Sequence, residues 1–300
     1  MLSISEYVKH PRILGIVILK ICGKWLPDKL YVKLMFRLQM GYKLDLKNPQ
    51  RFTEKLQWLK LYDHNPLYTI LVDKFEVKKW VAKCIGDEYI IPTFGVWDSI
   101  ESVDWNSLPN QFVLKTTFGG GSDGVCICDN KCVLDKKAVT KKLKRSMRTD
   151  PYRRLREWPY KNVPRRLIAE QYLIDKSGDL ADYKFYCFGG EPKVLLLATN
   201  RYTSHNFDYF DMEFNKLPIV SAMGSNNLNL SITRPPCFDR MKEIACKLSK
   251  GLPHVRVDLY CCNGKVYFGE MTLYNSSGLD DMNSEEWNMR FGSWISLPMG

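Results

Sequence analysis

Asp258 and Glu270 stand on two runs that read as adjacent short strands, Arg256-Val257-Asp258-Leu259-Tyr260 and Phe268-Gly269-Glu270-Met271-Thr272. Val255, Val257 and Leu259 alternate with His254, Arg256 and Asp258, and a β-rich run, Val266-Tyr267-Phe268, resumes after the hairpin signal Asn263-Gly264. Paired as a hairpin, these strands are expected to bring both carboxylates close together on one face. Such a pair repels unless a cation or a shared proton lies between them. Mg2+ suits the arrangement, because it takes oxygen ligands and is typically held by one or two carboxylates plus substrate phosphates. A solvated hairpin with scattered acids is the plain alternative for this segment taken alone.

A second motif lies upstream. Phe112-Val113-Leu114-Lys115 reads as a short buried strand ending in a lysine, followed by Thr116-Thr117-Phe118-Gly119-Gly120-Gly121-Ser122-Asp123-Gly124 and a second strand, Val125-Cys126-Ile127-Cys128. So much glycine costs backbone entropy, and its use is to let backbone N–H groups approach an anion closely. Neither a Walker A loop nor a dinucleotide fingerprint fits, since no Gly-Lys-Ser/Thr follows and a strand replaces the helix. The pattern is that of a flap laid over phosphates, with a plain hairpin tip as the alternative.

Three regions are expected to position these motifs. Residues 1–65 read as helical, including a helix from a Thr53 cap through Leu61. Residues 66–165 hold a helix from Asp73 to Cys84, a strand near Val96, the glycine-loop hairpin and a basic helix from Lys136 to Arg148. Residues 166–300 are expected to form an antiparallel sheet from the Ile168, Tyr183, Val194 and Val257 segments. Between the second and third regions, Asp150 to Arg166 mixes arginines with aromatics, which suits phosphate, carboxylate or sugar rings as well as an architectural loop.

Composition bounds the partners. The 300 residues, 45% hydrophobic, can bury one large core or two smaller ones. Ten irregularly spaced cysteines read as reduced thiols, and Cys126, Cys128 and Cys132 lack the companion ligands of a zinc site. The four histidines are scattered; His254 shares the strand parity of Asp258 and could face the same site. A net charge of +11 steers acidic partners, but no nucleic-acid-binding motif accompanies it, so nucleic acid is not expected. The apolar run from Ile13 to Leu26, broken by Lys20 and Lys24, is too short to span a bilayer and carries no cleavage site. It is expected to pack on the domain as a helix or to lie on a membrane surface.

The ordered set points to a family. Asp73-Lys74, Val113-Leu114-Lys115 with its glycines, Leu167-Ile168-Ala169-Glu170-Gln171-Tyr172-Leu173, Asp182-Tyr183-Lys184-Phe185, Arg256-Val257-Asp258 and Gly269-Glu270-Met271-Thr272 together resemble the ATP-grasp superfamily. The closer resemblance, from about Asn48 to Gly278, is to TupA-like ATP-grasp proteins of bacterial surface-polysaccharide and teichuronopeptide loci. It rests on Phe52-Thr53-Glu54-Lys55-Leu56-Gln57-Trp58-Leu59-Lys60, on Asp182 to Gly190, and on Phe268 to Thr272.

The resemblance implies an α+β fold in which two ATP-grasp lobes clamp ATP, preceded by a helical segment. It implies that Lys74 and Lys115 bind phosphates, that Gly119, Gly120, Gly121 and Ser122 close over them, and that Glu170, Gln171, Tyr172 and Leu173 line the adenine slot. Glu170 or Asp179 would bind the ribose, and Lys184 would face the nucleotide. Asp258, Glu270 and Thr272 would hold Mg2+, with Asn275 as a substitute, because Thr272 stands where many relatives have Asn. Arg256, with Lys115, would carry the catalytic role. The implied reaction joins a uronic acid, on a glycan or a lipid-linked sugar, to an amino acid or amine through an acyl phosphate. Phosphoryl transfer and glycosyl transfer in the same pathway are the alternatives. The implied location is cytoplasmic, with the inner membrane face as a variant.

Overall fold

The computed structural model describes residues 11–176, 178, 180–200, 205–220, 226 and 232–298. The sequence reading places boundaries at 65 and 165; by contact density the chain has two compact units. One comprises the residues up to Asn65, Asp150–Trp158 and those from Tyr274 on, and the other comprises Pro66–Thr149 and Pro159–Leu273.

The first unit is helical: α1 (Pro11–Cys22), α2 (Asp28–Met40), α3 (Phe52–Tyr62), α7 (Pro151–Leu155) and α9 (Glu285–Ser293). Thr53 does not cap α3, which starts one residue earlier. Glu54 caps it instead, accepting from the backbone N–H of Gln50 and of Arg51 at 3.1 Å each, while Thr53 Oγ1 turns to Asn288. The Asp150–Trp158 segment is architectural here. The buried Arg156 guanidinium donates to Gly23 O at 2.9 Å, pairs with Asp28 at 3.0 Å and stacks on the Tyr31 ring.

The second unit holds α4 (Leu67–Val72), α5 (Glu76–Ile85), α6 (Lys136–Met147), α8 (Phe238–Ser249) and two antiparallel sheets. The smaller sheet contains β1 (Thr93–Trp97), β2 (Phe112–Thr116), β3 (Val125–Cys128) and β4 (Leu167–Gln171), in the order β1-β4-β2-β3. The Ile168 strand therefore does not join the second sheet as expected. It runs between β1 and β2, because Leu167 and Ala169 share the apolar face of Phe112 and Leu114, with Cys126 and Cys128 in the same core under α6.

The larger sheet contains β5 (Asp182–Phe188), β6 (Glu191–Thr199), β7 (Asn206–Phe210), β8 (Lys216–Leu217), β9 (His254–Cys262) and β10 (Lys265–Thr272), in the order β10-β9-β5-β6-β7-β8. Helix α8 buries Phe238, Met241, Ile244 and Leu248, and Phe238 packs against Phe185 of β5. The opposite face of β5 and β9 carries Asp182, Lys184, Arg256 and Asp258, as strand alternation requires. One cysteine expectation is overturned: Cys237, preceding α8, is bonded to Cys261 on β9, while the other eight cysteines remain thiols.

Candidate active site

The smaller sheet supplies a cationic half. Lys115 opposes Ile168 and Val113 opposes Glu170, so Lys115 and Glu170 project from the face turned away from the apolar core. Glu170 is only 3% exposed and takes one ammonium on each oxygen, Lys78 and Lys115, both at 2.5 Å. Lys78 is fixed further by Ile91 O at 2.7 Å and Thr93 Oγ1 at 2.8 Å. Burial alone would raise the Glu170 carboxyl, but the two lysines outweigh it and hold it below the usual carboxylate range. Burial likewise lowers Lys78, opposed by Glu170.

Lys74 sits at a break in the helical run. The sequence reading starts a helix at Asp73, whereas α5 begins at Glu76 because the Asp73 carboxylate turns back as a cap. It accepts the N–H of Phe75 at 2.8 Å and that of Glu76 at 3.3 Å, and the Arg166 guanidinium at 2.7 Å. Lys74 is thereby held outside the helix. Its N–H donates to Thr117 O at 2.7 Å, and its ammonium donates to Gly119 O at 2.5 Å and lies 3.8 Å from Glu270. Burial lowers its pKa.

Gly119 and Gly121 have φ of +72° and +84°, which few other residues adopt. Gly120, Gly121 and Ser122 are exposed. The N–H of Gln171 donates to Pro92 O at 3.0 Å. Tyr172 is half-buried. Leu173 is buried with Ile91 and Cys262, against Leu180, Tyr260 and Tyr267. Asp179 lies outside the described residues, and buried Asn275 belongs to the helical unit.

The larger sheet supplies an anionic half, and a bulge makes it. Asn263 and Gly264, at φ of +52° and +81°, form the expected turn, and Phe268 pairs with Leu259. In unbroken register Gly269 would oppose Asp258, and Glu270 would point to the other face. The register instead shifts between Phe268 and Glu270, so Glu270 opposes Asp258 and Thr272 opposes Arg256. A Cβ on Gly269 would stand 3.0 Å from Asp258 O and from the Tyr260 ring, so this bulge calls for glycine.

The Arg256 guanidinium lies among the oxygens so assembled. It pairs with both Asp258 oxygens at 2.7 Å, and its NH2 lies 3.3 Å from Glu270 and 3.1 Å from Thr272 Oγ1. Lys184 bridges Asp182 at 2.5 Å and Asp258 at 2.6 Å. Burial would raise Asp258, yet Arg256 and Lys184 hold it low, and Asp182 and Asp258 hold Lys184 high against its own burial. His254 shares this face but is buried, with Nδ1 2.9 Å from Cys187 O, and desolvation lowers its pKa to about 3.

Lys78 escaped the sequence reading, while Asp182 and Arg166 were named there only within longer segments and given no role of their own. Lys78 lies one helical turn beyond Lys74, and Asp182 stands two before Lys184 on the same strand face; both spacings were signals. For Arg166 the local mix of arginines and aromatics could not name its partner, because Asp73 is distant in sequence.

The family model for TupA-like ATPgrasp matches residues 54–296. The chain belongs to this family. ATP-grasp enzymes use ATP and Mg2+. No curated protein matches it. Among solved structures it is similar to D-alanine–D-alanine ligase from Bacillus anthracis, at 16% identity over 68% of this chain and 57% of that one, TM-score 0.41. The same enzyme from Helicobacter pylori gives 13%, 82%, 70% and 0.41. N5-carboxyaminoimidazole synthetase from Staphylococcus aureus gives 14%, 76%, 53% and 0.39. The chain thus spans a little over half the length of the first of these relatives.

The TupA-like site fits Mg2+ by its donor set. Asp258, Glu270 and Thr272 converge hard oxygens, the donor type Mg2+ takes, on the Arg256 guanidinium. Among the described residues no cluster of three or more His, Cys, Asp or Glu side chains is placed to hold a metal. Substrate phosphates would complete the coordination.

Proposed function

We propose that this TupA-like chain is an ATP-dependent carboxylate–amine ligase, acting on a uronic acid of a bacterial surface polysaccharide or its precursor and on an amino acid or amine. The observation that carries this reading is Lys74, whose ammonium touches both Gly119 O of the glycine loop and Glu270 of the carboxylate hairpin. A triphosphate replacing those contacts would have the flap and Lys115 on one side and Asp258, Glu270 and Thr272 on the other.

The substrate carboxylate attacks the γ-phosphorus and the bond to ADP breaks, giving an acyl phosphate. The amine then attacks the acyl carbon, phosphate leaves and the amine gives up a proton. Lys74 and Lys115 bind the phosphates and hold the acceptor in line. Arg256, displaced from Asp258, stabilises the oxyanion at the acyl carbon. Mg2+ held by Asp258 and Glu270 would neutralise phosphate charge. The net charge of +11 supports an acidic acceptor.

The test is ADP release from Mg2+-ATP with a panel of uronic acids crossed with amino acids, alongside Asp258→Asn and Glu270→Gln. ADP formed only when both substrates are present, and lost in both variants, identifies the ligase and its substrate class. ADP formed with a hydroxyl acceptor and no amine would replace this reading with a kinase.

A further inference from the structure

Helix α1 carries two apolar stripes where packing uses one. Gly15, Ile16, Leu19 and Gly23 face α2, where Leu19 is buried with Tyr31 and Met35 and Gly15 meets Leu38. Leu14, Ile18 and Ile21 follow a helical spacing of three to four on the opposite side, and Trp25, in the 3-10 turn Gly23–Trp25 that follows α1, extends it, at 37%, 51%, 67% and 82% exposure. Helix α2 adds exposed Leu30 and Leu34 one turn apart. A surface helix normally turns polar residues outward; this one leaves a line of large apolar side chains open to solvent.

The charge beside the stripe is of one sign. Lys20, Lys24, Lys29 and Lys33 are exposed, and the Lys24 ammonium lies 5.2 Å from the Trp25 ring. The only acid from residue 11 to 40 is Asp28, which is taken up by Arg156 and by Tyr152 at 2.6 Å. No described helix is long and apolar enough to cross a membrane. A short helix with an exposed aromatic and aliphatic stripe flanked by lysines is complementary to the headgroup boundary of an anionic bilayer.

We infer that this face docks the protein on an anionic lipid surface, with α1 lying in the membrane plane and Leu14, Ile18, Ile21 and Trp25 inserted. The proposal is independent of the reaction assigned above.

The test is co-sedimentation of the full chain with phosphatidylcholine vesicles, with or without about 30 mol% phosphatidylglycerol, at low and high salt. Binding is expected on the anionic vesicles alone and should weaken with salt. The double variant Ile21→Ser/Trp25→Ser, at exposed positions that leave the fold intact, should lower partitioning at least about tenfold. Each of Lys20, Lys24, Lys29 and Lys33 changed to Gln should lower it about fivefold. Unchanged binding in the double variant would overturn the proposal. So would no vesicle binding together with a dimer in light scattering that the double variant abolishes, or binding to soluble polygalacturonate and not to vesicles.

Discussion

The two halves of the site use the same chemistry in opposite proportion. At the smaller sheet, Lys78 of α5 and Lys115 of β2 share one carboxylate, Glu170, and leave one positive charge over. On the larger sheet, Arg256 and Lys184 meet three carboxylates, Asp182, Asp258 and Glu270, and leave one negative charge over. A half with surplus cation attracts phosphate, and a half with surplus carboxylate attracts a divalent metal. Lys74 touches both halves. The buried pairs within each half keep the charged groups ionised, because each carboxylate offsets the desolvation of its lysine or arginine.

The largest expected effect comes from removing the negative surplus. Glu270→Gln should lower the ADP-forming kcat/KM at least about a hundredfold, read by coupled ADP assay across a Mg2+ titration. Because Glu270 is one-third exposed, the fold should survive, with an unchanged urea midpoint. Activity that persisted would show that the carboxylate surplus is not functional.

Gly269→Val attacks the same half through its backbone. The added side chain crowds Asp258 O and the Tyr260 ring, so the hairpin must give locally, and the pairing of Glu270 with Asp258 is expected to be disturbed. Mg2+-dependent ATP binding should weaken about thirtyfold, measured by titration calorimetry. Unaltered binding would mean that cross-strand pairing of the carboxylates does not matter.

His254 sharpens the contrast, being the uncharged member of a charged face. Its folded pKa, near 3, is below the ordinary 6.5, so the unfolded chain binds the proton first as pH falls. The stability it permits is complete above pH 6.5 and declines toward pH 3, by about 2 kcal/mol at pH 5. His254→Gln should flatten that part of the curve in urea titrations at a series of pH values.

In the cationic half, Lys78→Met should raise the KM for ATP about tenfold with little change in kcat, since Lys78 keeps Glu170 paired when Lys115 turns to phosphate. An equal loss in kcat would instead assign Lys78 to the chemical step. The smallest effect belongs to Gly120→Ala: a Cβ there meets nothing within 4 Å and φ is not positive, so activity should stay within about twofold. Gly121→Ala, at φ +84°, is the strained counterpart and should cost about 1–2 kcal/mol of loop stability.

Much of the fold was legible because its signals are local. Asn263-Gly264 dictates the turn of the β9–β10 hairpin, since both residues accept positive φ. Alternation placed Arg256 and Asp258 on one strand face, and the glycine run marked the loop between β2 and β3. What misled were groups with remote partners. Thr53 has the chemistry of a helix cap, but Asn288 takes its hydroxyl. Ile168 reads like the strands of the larger sheet, and only the apolar match with Phe112 and Leu114 sends it to the smaller one.

The sequence by itself determined the ingredients: the lysines, the flap, the hairpin, its two carboxylates and the order in which they occur. Tertiary structure decided what they do to one another. A strand's period of two places Glu270 on the wrong face, and only the bulge at Gly269 brings it to Asp258. The pairings Arg166–Asp73 and Lys78–Glu170 each join residues some ninety positions apart. Spacing cannot encode such contacts, because they form only once packing has closed the loops between them.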